Sequence, residues 1–279
     1  MYILLKYFFT AKTTIIAGGF NSTYFVGSVE YFGPLNITLP PLSGVFMITT
    51  AAYLNGILYG CAAIDPYVND GACFKYDLFA DSGSWEQLTT IPKSLQRNLA
   101  VAFDDFFWYF TDHIIQVPVN GSNVTLYDWK LGNQGCAVGN GSHTVIIRIS
   151  SSSVLMNSNP SSPMNWTIAA ELNTTVAYCG CLWLGNTIYV TGGYGPKGIT
   201  NLTQLINTDT FEVTLGAALP VALTGHGMGV IDGRPAIIGG STYDVYYSAI
   251  YVYDSCANTW SLSEQSLPSG LKHFVPVTF

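Results

Sequence analysis

Two glycine pairs forty-seven residues apart constrain the fold more than any other feature of this sequence. Gly192–Gly193 and Gly239–Gly240 each end an apolar strand, which follows a tight turn and an earlier apolar strand. The second copy continues through an apolar segment at 249–253 to Trp260. Self-similarity with a period of about 40 to 50 residues is typical of the blades of a β-propeller. The repeat therefore predicts an all-β fold built from similar sheets.

The rest of the chain divides into weaker copies of the same pattern. In the copy that begins at Thr49, the turn is Asn55–Gly56, the strongest short signal for a β-hairpin. The six copies start at Thr14, Thr49, Leu99, Cys136, Thr175 and Gly227. Because six repeats of about 46 residues use the whole chain, we predict one domain at 14–279, a six-bladed β-propeller of four-stranded blades.

The two ends of the repeat array complement each other. Blade one lacks an innermost strand, whereas Phe274–Phe279 has the pattern of an innermost strand with no blade after it. We therefore expect the C-terminal strand to complete blade one and close the ring. Residues 1–13 precede the first predicted strand, and we interpret them as a strand remnant or as a truncated signal or linker segment.

The pattern of blade six resembles the kelch repeat. Its glycine pair follows four apolar residues, and Tyr253 and Trp260 follow at the kelch spacing. Blade one keeps Gly18–Gly19 together with Tyr31, and blades two to four keep the apolar pattern with Trp85 or Trp166. The resemblance implies a kelch-type propeller, a fold that serves mostly as a recognition platform for proteins or peptides.

The resemblance also implies where a ligand would bind. In kelch propellers that bind peptides, contacts often come from the residue after the glycine pair and from the loop that enters each innermost strand. The first group corresponds here to Phe20, Tyr194 and Ser241, with His113 where blade three departs from the pattern. The second group corresponds to Arg97, Asn98, His226 and His273. Since His226 and His273 are also forty-seven residues apart, we expect them to occupy equivalent places in successive repeats.

An enzyme is the competing class. Some kelch-type propellers are copper radical oxidases with His and Tyr ligands and a Cys–Tyr cross-link, and Tyr178 stands beside Cys179 here. No further set of His and Tyr accompanies this pair, so we predict no metal, no cofactor and no catalytic residue. A sugar-modifying propeller and a fragment of a larger multidomain kelch protein stay open as alternatives.

The charge balance bears on the partner. The chain has 17 acidic and 10 basic residues, which gives a net charge of −7. Nucleic-acid binding rests largely on a dense cationic surface. We therefore predict no nucleic-acid partner. No apolar run approaches the ~18 residues of a membrane-spanning helix, so no transmembrane segment is predicted.

Sequons and cysteines indicate the secretory pathway. Asn-x-Ser/Thr sequons, the acceptors of N-glycans, occur at Asn21, Asn36, Asn120, Asn123, Asn140, Asn165, Asn173 and Asn201. The even number of 6 cysteines fits disulfides in an oxidising compartment. We therefore predict an extracellular or luminal glycoprotein, with a cytoplasmic location as the alternative.

The cysteine spacing predicts one disulfide and leaves another open. Cys61 ends one strand of blade two and Cys73 begins the next, so antiparallel pairing brings them within bonding distance. Cys179 and Cys181 are spaced for one face of a strand. One of these two joins Cys136 or Cys256, and the sequence does not distinguish these pairings.

Overall fold

The secondary structure is β-strand throughout, in a computed structural model that describes residues 14–17, 29–32, 39–40, 42, 47–63, 70–80, 83–92, 99–103, 105–110, 113–128, 134–140, 143–148, 152–159 and 161–278. The strands of these residues are β1 (Thr14–Ala17), β2 (Val29–Phe32), β3 (Met47–Leu54), β4 (Ile57–Ala63), β5 (Asp70–Asp77), β6 (Glu86–Pro92), β7 (Leu99–Ala102), β8 (Phe106–Phe110), β9 (Ile114–Pro118), β10 (Thr125–Tyr127), β11 (Gln134–Gly139), β12 (Thr144–Arg148), β13 (Ser153–Asn157), β14 (Thr167–Glu171), β15 (Gly180–Leu184), β16 (Thr187–Thr191), β17 (Tyr194–Gly195), β18 (Gly198–Ile199), β19 (Thr203–Asn207), β20 (Val213–Leu215), β21 (Gly227–Ile231), β22 (Arg234–Ile238), β23 (Ala249–Asp254), β24 (Thr259–Ser266) and β25 (Val275–Thr278).

The strands form antiparallel sheets that follow one another along the chain. Sheets two, three and four contain β3–β6, β7–β10 and β11–β14 in sequence order. Sheet five contains β15, β16, β19 and β20, and sheet six contains β21–β24. Sheet one has three strands in the described residues, in the order β2-β1-β25. Strands β17 and β18 form a separate two-stranded hairpin, which the repeat pattern did not predict.

The innermost strands contact one another in a closed circle. Strand β25 contacts β3, β3 contacts β7, β7 contacts β11, β11 contacts β15, β15 contacts β21, and β21 contacts β25. Sheets that radiate from a common axis in this way define a β-propeller. The predicted all-β propeller is therefore confirmed.

The C-terminal strand closes this circle, as expected. Strand β25 pairs antiparallel with β1, with Thr14 opposite Thr278 and Ala17 opposite Val275. The Thr14 hydroxyl, fully buried, donates to the Val230 carbonyl at 2.9 Å and accepts from the Val230 N–H at 3.0 Å. One side chain thus joins the first sheet to the sixth.

Apolar side chains fill the spaces between neighbouring sheets. Tyr59 of sheet two packs on Phe107 of sheet three, with ring centroids 5.6 Å apart. Tyr189 of sheet five packs with Met228 of sheet six, and Val277 of β25 packs in the core of sheet two. Because each sheet buries its faces against its neighbours, the stability of one sheet depends on the next.

The kelch-type tyrosine and tryptophan fill the wedge between sheets five and six. The Tyr253 ring lies 4.8 Å from that of Trp260 and 5.8 Å from that of Tyr189, measured between centroids. The Trp260 indole N–H lies 3.1 Å from the carbonyl oxygen of Ala217 and 3.2 Å from Oγ1 of Thr203, two residues that belong to the preceding repeat. These residues therefore fix the angle between two blades.

Two-residue turns join the inner strands at one end of the sheets. Asn55 and Gly56 have φ values of 49° and 89°, and Asp232 and Gly233 have 50° and 73°. Left-handed backbone at both central positions is what a type I′ hairpin requires. The hairpin expected at Asn55–Gly56 is therefore present, with an equivalent in sheet six.

Candidate functional site

A central channel runs between the innermost strands. Its cavity of about 610 Å³ is lined by residues of β3, β7, β11, β15, β21 and β25. Much of the wall consists of alanine and glycine, namely Ala51, Ala52, Ala100, Ala102, Gly135, Ala137, Gly139, Gly180 and Gly227. Small residues let neighbouring backbones approach closely around the axis.

The glycine pairs lie at one mouth of this channel, on a surface we call the glycine face. Gly192 and Gly193 have φ values of 55° and 94°, and Gly239 and Gly240 have 55° and 97°. A Cβ on Gly193 would lie 2.6 Å from the carbonyl oxygen of Ala177, so both the space and the backbone conformation favour glycine. The pairs therefore turn the chain sharply at the channel mouth.

Hydrogen bonds tie each glycine pair to the next blade. The N–H of Gly193 donates to the carbonyl of Leu223 at 2.7 Å, and the N–H of Gly240 donates to that of Leu271 at 2.7 Å. Their acceptors lie just before the strands β21 and β25. On the glycine face, the glycine pairs of sheets five and six are thus each tied to the segment that enters the next innermost strand.

The residues that enter the innermost strands form a second row along the glycine face. Tyr178, Gly225 and His273 have left-handed φ values of 56°, 63° and 57°. The Gly225 N–H donates to the Tyr178 carbonyl at 3.0 Å, and the His273 N–H donates to the Gly225 carbonyl at 2.7 Å. These three residues are therefore structural equivalents.

This row corrects the expected equivalence of His226 and His273. His273 corresponds to Gly225 and Tyr178, whereas His226 corresponds to Cys179 and Phe274. The step from Tyr178 to Gly225 is forty-seven residues, but the step from Gly225 to His273 is forty-eight. Equal spacing of two histidines therefore did not mean equal positions, because one repeat carries an extra residue.

Aromatic side chains project from the glycine face. Tyr194 is 48% exposed and Tyr243 is 70% exposed, and each lies shortly after a glycine pair. The Tyr243 hydroxyl would be 3.0 Å from a Cβ on Gly198, so Tyr243 lies against the β17–β18 hairpin that carries Tyr194. The loops of sheets five and six therefore present one shared surface, which we call the tyrosine patch.

The comparisons with known proteins agree with this geometry. Kelch-like protein 15 from Mus musculus and from Rattus norvegicus is 29% identical over 106 residues, 37% of this chain. The Homo sapiens protein of that name is 28% identical over 106 residues. The match spans 17% of the length of these relatives. No family model matches the chain.

Solved structures share the fold at low sequence identity. The structure of YjhT aligns with a TM-score of 0.69 at 11% identity, covering 82% of this chain and 87% of that one. A chain of the nidogen/laminin complex aligns with a TM-score of 0.68 at 9% identity, covering 96% of this chain and 98% of that one. This chain is a β-propeller that resembles the kelch-repeat family. The kelch features are therefore the glycine pairs and the Tyr253–Trp260 wedge described above.

His226 of this propeller is a packing residue. It is 5% exposed, its Nε2 lies 2.8 Å from Oγ1 of Thr191, and its Nδ1 has no hydrogen-bond partner among the described residues. A Cβ on Gly180 would lie 2.6 Å from its Nε2. His226 thus borders the channel and is enclosed between sheets five and six, and its contact with a ligand stays a prediction.

Burial of His226 predicts a loss of stability in acid. Burial lowers the pKa of His226 from 6.5 to about 4. In the unfolded chain, His226 is therefore protonated below about pH 6.5, whereas in the folded chain it stays neutral down to about pH 4. The stability that neutral His226 contributes is fully present above about pH 6.5 and is lost as the pH falls from there to about 4. The total loss in the free energy of unfolding is at most about 3 kcal/mol.

Urea unfolding at about pH 7 and about pH 4 measures this effect. We expect the free energy of unfolding to fall more in the wild type than in His226→Gln, which keeps a hydrogen-bonding group near Thr191 but does not titrate. Equal losses in the two proteins would show that His226 is not the acid-sensitive group.

The other residues predicted to line the ligand face differ in exposure. Tyr194 is exposed, and His273 is half-buried and lines the channel. Ser241 is only 1% exposed, and its backbone pairs with Thr224 in both directions at 2.9 Å, so its contact with a ligand stays a prediction. His113 lies 3.5 Å from the Asp128 carboxylate, measured from Nε2 to Oδ1. Phe20, Arg97 and Asn98 lie outside the described residues.

Sequence reasoning missed the more exposed half of the tyrosine patch. Tyr243 and Val245 are 70% and 52% exposed, and neither directly follows a glycine pair. The available signal was the aromatic run from Tyr243 to Tyr247 within one loop. Tyr178 on the glycine face was likewise missed, because its left-handed backbone is not visible in the sequence.

The structure joins two pairs of cysteines. Cys61 and Cys73 lie opposite each other on β4 and β5 and form a disulfide, as their spacing predicted. Cys136 of β11 is bonded to Cys181 of β15, which decides between the pairings left open above. Cys179 is a buried free thiol and Cys256 an exposed one. Disulfides thus bridge strands within sheet two and between sheets four and five.

The sequons of the described residues lie at the surface. The asparagines of these sequons are all exposed, at Asn120, Asn123, Asn140, Asn165, Asn173 and Asn201. Asn21 and Asn36 lie outside the described residues. An acceptor asparagine must be accessible to carry a glycan, so the fold is compatible with glycosylation at these sites.

A membrane-spanning helix is absent from the part of the chain that the structure describes.

Proposed function

We propose that this chain is a secreted, N-glycosylated, six-bladed kelch propeller that acts as a binding or scaffold module. It recognises a protein, peptide or carbohydrate ligand through the loops of the glycine face. The observation that carries the proposal is the tyrosine patch, where the exposed Tyr243 lies against the β17–β18 hairpin that carries the exposed Tyr194. Tyrosine supplies apolar contact area and a polar hydroxyl on one rigid side chain, so it is enriched at binding surfaces.

The surroundings of the patch support a ligand site. Val245 is 52% exposed beside Tyr243 and extends the apolar surface. Lys272 lies with its Nζ 4.6 Å from the centroid of the half-buried Tyr246 ring, next to His273 at the channel mouth. Aromatic side chains with nearby cationic groups bind both peptides and sugars, and the adjoining cavity of about 610 Å³ is large enough to admit a side chain or a sugar unit.

We propose six blades because six sheets surround the channel. Sheets two to six have four strands each, and sheet one has three in the described residues. A solved structure with the same fold comes from the nidogen/laminin complex, so we place secreted matrix proteins first among the ligands to test.

Binding variants test the proposed surface. The protein, secreted from eukaryotic cells, is screened against matrix proteins and a glycan array, and any ligand is then measured with Tyr243→Ala and Tyr194→Ala. We expect each substitution to weaken binding about tenfold or more, as for an aromatic hot spot. Phe79→Ala is the matched control, because Phe79 is also 51% exposed and lies at the Asn55–Gly56 turn, away from the glycine face.

Two results would contradict the proposal. Equal loss of binding in Phe79→Ala would place the ligand elsewhere. Failure of the chain to enter the medium, or an intact mass unchanged by enzymatic glycan removal, would refute the secreted and glycosylated state and direct the search to cytosolic peptide partners.

A further inference from the structure

Three cysteines meet in the channel wall where sheets four and five adjoin. Cys136 of β11 is bonded to Cys181 of β15, and the two Cα atoms are 6.0 Å apart. The free Sγ of Cys179 lies 3.5 Å from the Sγ of Cys136. All three residues line the cavity of the channel. Cys136 thus has two sulfur neighbours within the same wall.

The strand geometry explains this convergence. Side chains two residues apart along an extended chain point to the same side, so Cys179 and Cys181 both face β11. Strands β11 and β15 are the innermost strands of neighbouring sheets and contact each other. A thiolate next to a disulfide can attack one of its two sulfur atoms and displace the other, a reaction called thiol–disulfide exchange.

We propose that this cluster is a thiol–disulfide exchange site, in which Cys136 alternates between Cys181 and Cys179 as its partner. The thiolate of Cys179 attacks the Sγ of Cys136, and a new Cys136–Cys179 bond forms. The Cys136–Cys181 bond breaks, and its electron pair leaves on the Sγ of Cys181, which takes up the proton that Cys179 gave up. The number of disulfides is unchanged, so no external oxidant or reductant takes part.

The exchange changes how accessible the free thiol in the channel wall is. Cys179 is 6% exposed, whereas Cys181 is half-buried and lies further along the channel wall. Pairing of Cys136 with Cys179 therefore replaces an enclosed thiol by a more accessible one. The accessible Cys181 would react with soft electrophiles and with small disulfides that enter the channel.

Burial sets the rate of the exchange. Burial raises the pKa of Cys179 to about 12. Only the thiolate attacks, so the exchange is slow at neutral pH. Its rate rises about tenfold for each unit by which the pH is raised, up to the pKa of Cys179.

Alkylation of the wild-type protein tests the exchange directly. The folded protein is treated with iodoacetamide without a reductant, at about pH 7 and about pH 9, and peptides are mapped by mass spectrometry. We expect label to accumulate on Cys181, faster at the higher pH, together with a Cys136–Cys179 disulfide peptide. Full label on the exposed Cys256 with none on Cys181 would overturn the proposal.

Single substitutions separate exchange from general unfolding. In Cys181→Ser we expect a Cys136–Cys179 disulfide and one free thiol, at Cys256. Three free thiols in that variant, at Cys136, Cys179 and Cys256, would refute the proposal. In Cys179→Ser the label on Cys181 should disappear, because the attacking thiol is gone.

Cys256→Ser is the control for exchange between molecules. Removal of this exposed thiol should leave the labelling of Cys181 unchanged. If Cys181→Ser does not fold, the wild-type and Cys179→Ser measurements still decide. These measurements need no ligand, so their outcome is independent of the proposed binding function.

Discussion

Tyr253→Ala is expected to lower the free energy of unfolding by about 3–5 kcal/mol, the usual cost of removing a large buried aromatic side chain. Tyr253 is 2% exposed and packs between Tyr189 and Trp260, so its removal leaves a cavity in the wedge between sheets five and six. The midpoint of thermal unfolding should fall by about 2–4 °C for each kcal/mol. Calorimetry and urea unfolding measure both quantities.

Two matched variants serve as controls for Tyr253→Ala. Tyr253→Phe removes only the hydroxyl, which donates to Oδ1 of Asn258 at 2.6 Å, and we expect a loss of about 1 kcal/mol. Tyr243→Ala removes a tyrosine that is 70% exposed and should change stability by less than about 0.5 kcal/mol. A loss in Tyr253→Ala as small as that in Tyr243→Ala would show that the wedge does not support the blade angle.

Val277→Asp is expected to cost about 4 kcal/mol or more, because it places an unpaired carboxylate in an apolar interface. Val277 is 6% exposed and packs with Leu58 and Tyr76 in the core of sheet two, although its strand β25 belongs to sheet one. The substitution therefore acts on the closing strand and on its neighbouring sheet together. Limited proteolysis should show earlier cleavage, and urea unfolding should show a lower midpoint.

Leu262→Asp is the matched control for this substitution. Leu262 is also an apolar residue of a strand, but it is 66% exposed on β24, the outermost strand of sheet six. A carboxylate there stays hydrated, so we expect a change within about 0.5 kcal/mol. Similar losses in Val277→Asp and Leu262→Asp would mean that β25 does not hold the ring closed.

Much of the fold could be predicted from local patterns. The glycine pairs, the Asn55–Gly56 turn and the Tyr253–Trp260 spacing each fix a local geometry that needs no distant partner, and each is present. The closing strand could be predicted because an unpaired strand pattern at Phe274–Phe279 matched a missing strand in blade one. The structure has this strand at Val275–Thr278.

The candidate site was harder to predict, because it depends on contacts between repeats. His226 occupies a loop position in the sequence, but the packing of Gly180 and Gly240 against its side chain encloses it. Ser241 follows a glycine pair, as Tyr194 does, yet its pairing with Thr224 and Tyr246 buries it. Position within a repeat therefore did not indicate which side chains reach solvent.

The joining of the first and last strands has a consequence for synthesis of the protein on the ribosome. Strand β1 is made early, but its partner β25 and its contact Val230 follow more than two hundred residues later. Until β25 is available, β1 lacks the strand that pairs with one of its edges. Contacts of such sequence separation form slowly, and exposed strand edges promote aggregation. We therefore expect the ring to close only after β25 has been synthesised.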